Sequence, residues 1–184
     1  LGLADEKVVE LCQIVNAEGQ GSVEAANYNS QGQVVIAGST ASVQQVMALA
    51  KEQSAKAIAL PVSVPSHCSL MKPAAEKFAE ALEQTAIELP TIPVIQNVNA
   101  GIATDVAQLR QALTAQLYQS VQWTDTMQFL QNQGIHYIVE CGPGTVLSNL
   151  AKRLPNIEKA FSIDSKSKME DALNAVLVAE GKIA

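Results

Sequence analysis

Aromatic side chains make up only 4 % of the 184 residues and charged ones 16 %, against a usual charged share of about 25 %. So few rings leave little surface for base stacking. Twelve Lys and Arg against 18 Asp and Glu give a net charge of −6, with no basic stripe to follow a phosphate backbone. Nucleic acid is therefore not an expected partner. The cysteines, Cys12, Cys68 and Cys141, are odd in number, far apart and without a CxxC pair, which excludes a disulfide framework and a cysteine zinc site. The two histidines, His67 and His136, bring no HExxH or HxH, so no metal is expected. No uninterrupted apolar run approaches the ~18–20 residues that span a bilayer, and no basic segment followed by an apolar one marks a secretory signal. Reduced cytoplasm is the compartment this implies. GxSxG, GxGxxG and GxxxxGK are absent too, so no self-sufficient catalytic or phosphate-binding motif is present.

What is present is core material: 48 % of the chain is apolar, enough for a real interior. Val8, Leu11, Cys12 and Val15 recur at i, i+3, i+4 and i+7 and predict a helix over about 5–16. Val23–Tyr28 and Val34–Ala37 read as strands, joined across Asn29-Ser30-Gln31-Gly32 as a hairpin. Ser39 or Thr40 caps a helix carrying Val43, Val46, Met47 and Ala50, and Ala57–Val62 reads as a further strand. One strand before residue 4 completes β-α-β-β-α-β, the split unit of ferredoxin-like folds. Leu1-Gly2-Leu3 reads as the end of that strand, and Leu1 in place of Met implies that something upstream has been removed.

Beyond residue 62 the pattern becomes that of strands flanked by helices, an α/β arrangement. A turn-rich bridge, 63–69, leads to a helix from about 71 with Pro73 in its first turn. Pro90 and Pro93 punctuate, Val94–Val98 reads as a strand, and Asp105 and Thr124 open helices, the second stopped by Gly134. Ile135–Val139 is apolar throughout, apart from His136 and Tyr137, as a parallel strand covered on both faces should be. Gly142-Pro143-Gly144, a helix, the strand Ala160–Ile163 and a closing helix follow. The expected division is 1–62 and 63–184.

Three places carry chemistry. His67 stands in a turn after a strand, where a general base belongs, though a packed or surface histidine fits the same sequence. Cys68 beside it is disfavoured as its partner, because neighbouring side chains in extended chain point opposite ways. Gly142-Pro143-Gly144 either presents helix N–H groups to a ligand or makes a tight turn that needs small residues. Gln116, before Leu117-Tyr118, either serves a site or merely ends a helix.

Four segments occur in one order: Asn27-Tyr28-Asn29-Ser30-Gln31-Gly32-Gln33-Val34-Val35-Ile36-Ala37-Gly38, Val62-Ser63-Val64-Pro65-Ser66-His67-Cys68, Gln116-Leu117-Tyr118 with Val121-Gln122-Trp123, and Glu140-Cys141-Gly142-Pro143-Gly144. Their series and spacing resemble the malonyl-CoA:acyl-carrier-protein transacylases of bacterial type II fatty-acid synthesis. The resemblance covers the whole chain. It implies a ferredoxin-like small subdomain, here with its first strand truncated, joined to the C-terminal part of an α/β-hydrolase-like acyltransferase core. It implies ping-pong transfer of malonyl from coenzyme A, through a serine ester, to the phosphopantetheine thiol of acyl carrier protein, with no cofactor beyond the coenzyme A thioester substrate.

Carried onto this chain, His67 matches the catalytic base and Gln116 the residue whose backbone carbonyl orients it. Ser66 lies in the segment associated with the choice of acyl group, which favours malonyl, and Asn29 matches a polar residue lining the site. The serine in its Gly-His-Ser-Leu-Gly elbow, the oxyanion donors and the carboxylate-binding arginine lie upstream in the family. The chain alone is therefore expected to be inactive, to need the N-terminal part of the same enzyme, and to be marginal or prone to associate. The basic residues Lys152, Arg153 and Lys159 are candidates for docking the acidic carrier protein. Two other classes compete: a non-catalytic ligand-binding or regulatory α/β module, and a cysteine enzyme using Cys68 or Cys141.

Overall fold

The structure, a computed structural model, describes residues 1–19, 21–154, 157–179 and 181. They fall into two compact units, Leu1–Thr126 and Met127–Ala184.

The first unit begins with helix α1 (Asp5–Ala17), whose acidic first turn, Asp5 and Glu6, suits the positive end of the helix dipole. Strands β1 (Val23–Ser30) and β2 (Gln33–Gly38) form an antiparallel hairpin. Gly32 takes the positive φ of +71° that its turn requires. Helix α2 (Thr40–Glu52) follows, capped by Ser39, whose side chain accepts from Ser42 N–H. The apolar faces of α1 and α2 close on the hairpin: Leu11, Cys12, Val15, Val23 and Val46 are buried together. Asn16 extends β1 from the side, its amide donating to Val23 O and accepting from Val23 N, both at 2.9 Å. Gly38 is there for space, since a Cβ would stand 2.1 Å from Ser22 O.

The expected strand over 57–62 does not form. Its residues have no ladder partner among the described residues, Val62 N–H turns back to donate to Leu60 O at 2.8 Å, and Ile58, Leu60 and Val62 are exposed. A strand is defined by its neighbour as much as by its own residues. The segment starts as a strand would, however, because Leu1 and Lys56 exchange two backbone hydrogen bonds, N to O at 3.0 and 2.9 Å.

A 3-10 turn (Ser69–Met71) enters helix α3 (Lys72–Glu83), with proline in its first turn as expected. The expected strand over 94–98 shrinks to β3 (Ile95–Gln96), paired antiparallel with β4 (Gly101–Ile102). Helix α4 (Val106–Ala115) is capped by Asp105, which accepts from Gln108 N–H at 2.8 Å. Helix α5 (Trp123–Asn132) starts one residue before the expected cap, Thr124, whose hydroxyl instead donates to Tyr28 O at 3.2 Å.

In the second unit, β5 (Tyr137–Glu140) pairs in parallel with β6 (Lys159–Ser162), Ile138 opposite Ala160 and Val139 opposite Phe161. The intervening α6 (Val146–Ala151) and the closing α7 (Lys166–Ala179) pack on this pair, as the alternation of strand and helix predicts.

Candidate active site

His67 occupies a backbone conformation that histidine rarely adopts, with φ +65°. Such a residue persists only where its surroundings hold it, and these positions cluster at functional sites. The holding contacts come from the end of α4. Gln116 caps that helix, and the last carbonyls of a helix lack partners within it. His67 supplies two: its backbone N–H donates to Leu117 O at 2.9 Å, and its ring Nδ1 lies 2.6 Å from Gln116 O. A carbonyl can only accept, so Nδ1 carries the hydrogen and Nε2 is left as the proton acceptor.

The turn around His67 is tied down on both sides. Cys68 is fully buried and its thiol donates to Pro65 O at 3.2 Å. Met71 N–H donates to Cys68 O at 3.0 Å, closing the 3-10 turn. Glu24, on β1, accepts from Ser69 N–H at 3.3 Å to each carboxylate oxygen and also from the Ser69 hydroxyl.

The segment after α4 returns to β1 on the side away from β2. Ser120 Oγ donates to Ala25 O at 2.6 Å, Val121 N–H to Ala26 O at 2.8 Å and Tyr28 N–H to Val121 O at 3.0 Å. These bonds fall where the register of β1 against β2 shifts, between Ala25 and Asn27. A bulge turns the local backbone groups, and here they meet a third segment. Asn29 stands at the second irregularity, between Tyr28 and Ser30, and is half-buried. Ser66 is exposed beside His67.

Of the residues singled out in the sequence, His67 and Gln116 thus meet directly. Asn29 rides on a strand bonded to the segment that follows Gln116, and Ser66 adjoins the imidazole in the chain. Glu24, Ser69 and Leu117 escape sequence reasoning. The one signal for them is a charge, Glu24, set in the otherwise apolar run Val23-Glu24-Ala25-Ala26.

Gly142-Pro143-Gly144 belongs to the second unit and leads into α6. The N-terminal amides of α6 are taken by the Glu140 carboxylate, which accepts from Leu147 N–H at 3.0 Å, Ser148 N–H at 2.9 Å and the Ser148 hydroxyl. Hydrogen bonds from Ser148, side chain and then backbone, hold this carboxyl below its usual range. The bend itself needs glycine, with φ +141° at Gly142 and +92° at Gly144.

The thiols do not favour a cysteine mechanism. Burial, aided by the Glu24 charge, pushes Cys12 up to about 11, and burial pushes Cys68 up as well. Both therefore stay protonated, the unreactive form; Cys141 is exposed. Among the described residues no group of three or more His, Cys, Asp or Glu could hold a metal ion. No helix among them is long and apolar enough to cross a membrane. Lys152, Arg153 and Lys159 are exposed.

The malonyl CoA-acyl carrier protein transacylase of Salmonella typhimurium is 44 % identical over 174 residues, 94 % of this chain and 56 % of that protein. Over nearly its whole length the chain is thus similar to malonyl CoA-acyl carrier protein transacylases. The transacylase of Haemophilus influenzae is 46 % identical over 165 residues, 52 % of its length. The crystal structure of FabD from Acinetobacter baumannii has 96 % identity and a TM-score of 0.96, covering 97 % of this chain and 57 % of that one. A malonyl-transacylase in complex with its type II PKS acyl-carrier protein has 41 % identity and a TM-score of 0.91, covering 95 % and 56 %. The mixed α/β fold is thus that of solved transacylases, and the chain spans about half the length of the curated relatives it matches. No family model matches it.

Proposed function

We propose that the chain is the C-terminal portion of an enzyme that moves malonyl from malonyl-CoA to the phosphopantetheine thiol of acyl carrier protein, in fatty-acid synthesis. The observation that carries this is the pair of hydrogen bonds from His67 to the end of α4, with Nδ1 on Gln116 O and Nε2 left to accept a proton. A carboxylate plays this orienting role in the usual triad; here a main-chain carbonyl takes its place.

His67 acts as general base twice. Its Nε2 takes the proton of a serine hydroxyl as the oxygen attacks the malonyl thioester carbon. The imidazolium then returns that proton to the coenzyme A sulfur as the C–S bond breaks. In the second half, Nε2 takes the proton of the carrier thiol as sulfur attacks the serine ester, and gives it to the departing serine oxygen. The serine, its oxyanion donors and the arginine for the malonyl carboxylate lie in the part of the family's length outside this chain. Ser66 and Asn29 line the acyl site, no cofactor is required, and the reaction is cytoplasmic. The chain alone does not transfer acyl groups.

Residues 1–62 are a ferredoxin-like subdomain and 63–184 the C-terminal part of the hydrolase-like core. The paired hydrogen bonds of Leu1 and Lys56 support this. They are one ring of an antiparallel ladder, and a strand running upstream from Leu1 would lie along the exposed 57–62 segment.

The test is His67→Ala in the full-length enzyme, measured as malonyl transfer from malonyl-CoA to carrier protein. General-base catalysis contributes about 10²–10⁴-fold, so a loss of that size in a variant that still melts cooperatively is expected. An unchanged rate would refute the assignment. A regulatory module with no base gives no reason for an imidazole held this way.

A further inference from the structure

The site rests on three segments: β1, the turn 65–69 and the stretch 116–121. Two of their three junctions contain backbone–backbone hydrogen bonds, His67 N–H to Leu117 O, and Val121 with Ala26 and Tyr28, each beside a side-chain bond, His67 Nδ1 to Gln116 O and Ser120 Oγ to Ala25 O. The third junction, between β1 and the turn, is made by side chains. Both Glu24 oxygens accept from Ser69 N–H, Oε1 also accepts from the Ser69 hydroxyl and, at 3.2 Å, from Ser22 Oγ. Ser22 and Ser69 hydroxyls lie 3.3 Å apart, completing the cluster.

We propose that Glu24 is a positioning residue for His67, acting through Ser69 to fix the turn that presents the imidazole. The proposal rests on His67 being the general base.

Three observations carry it. Ser69 is two residues from His67, and the residue between them, Cys68, is fully buried and bonded back to Pro65, so a pull on Ser69 reaches His67 through fixed chain. His67 sits at φ +65°, a conformation that relaxes unless it is held from both sides. Gln116 and Leu117 hold one side; Glu24 holds the other. Finally, Glu24 is a half-buried charge between the buried Val23 and Ala25, near enough to Cys12 and Cys68 to disfavour their ionisation. A carboxylate in such a place needs strong donors, and charge-assisted hydrogen bonds are roughly twice as strong as neutral ones. A neutral strand residue would fold as well and leave Ser69 untethered.

The experiment uses the full-length enzyme with Glu24→Ala, Glu24→Gln and Ser69→Ala. Displacing a catalytic group by about 1 Å can cost on the order of 10²-fold. Glu24→Ala is therefore expected to lower kcat by roughly ten- to a hundredfold with KM for malonyl-CoA unchanged. Ser69→Ala should give a smaller loss in the same direction. Glu24→Gln, which keeps an acceptor for Ser69 N–H, should recover part of the loss. The second readout is independent of activity: 15N spectra of histidine-labelled protein, with the His67 signal assigned from His67→Ala. The parent should show hydrogen fixed on Nδ1, and Glu24→Ala a mixture of tautomers. Parent kcat and an unchanged Nδ1–H signal in Glu24→Ala would overturn the proposal. Should that variant fail to fold, Ser69→Ala decides by the same two measures. If His67→Ala transfers malonyl normally, the base assignment fails instead, and the tautomer spectra still show whether Glu24 holds the ring.

Discussion

His67 combines a function with a strained backbone, and the two separate by substitution. His67→Ala and His67→Gly both remove the imidazole and its bond to Gln116 O, so each loses transfer activity alike, by about 10²–10⁴-fold. Their stabilities should differ. Alanine keeps a Cβ at φ +65°, a left-handed conformation that costs an L-residue roughly 1–2 kcal/mol. Glycine adopts it freely, offset by about 0.4–1 kcal/mol of extra freedom in its unfolded chain. The glycine variant should therefore be the more stable by about 0.5–1 kcal/mol, or roughly 1–4 °C in melting temperature for a chain of this size. Denaturant unfolding of the two variants side by side is the assay, since the common loss of the ring cancels. An alanine variant equal to or more stable than the glycine one would refute the strained geometry, and with it the claim that the turn is held from outside.

Three further outcomes follow from the same structure. The Glu140 carboxyl titrates below its unfolded range, so its stabilising effect is complete above the ordinary carboxylate pKa and is lost as pH falls through the lower folded value; Glu140→Gln should flatten the acid side of the stability profile. Alkylation of the native chain at pH 8 should give one adduct by mass spectrometry, at Cys141, because Cys12 and Cys68 are buried and protonated. Gly38→Ala places a methyl group 2.1 Å from Ser22 O and 2.6 Å from Val23 Cα; overpacking typically costs about 1–3 kcal/mol, and this backbone clash should reach at least the upper end in urea unfolding.

The helices were legible in the sequence because their apolar residues repeat at helical spacing and because Ser39 and Asp105 have the chemistry of caps. The hairpin was legible from Asn29-Ser30-Gln31-Gly32 for a similar reason. The segment 57–62 was not, since its residues have the composition of a strand while strand formation depends on what lies alongside. His67 could be found as a histidine in a proline-containing turn, but its positive φ could not, because nothing local to Ser66-His67-Cys68 demands it; the demand comes from Gln116 and Leu117, some fifty residues on. The orienting group is a main-chain oxygen, which every residue type possesses, so the residues alone left Gln116 as either a site residue or a helix end and only the resemblance gave it a role. Glu24 was not singled out, its only signal being a charge in an otherwise apolar run.

The carbonyl that steers His67 has a consequence for how the site can vary. It has no proton to gain in acid and no side chain to lose by substitution. Position 116 can therefore drift in identity while the imidazole stays aimed, and the vulnerable property becomes the pitch of the last turn of α4. Damage to catalysis from that quarter should arise from prolines or insertions that unwind the helix end, rather than from any change of chemical group at residue 116.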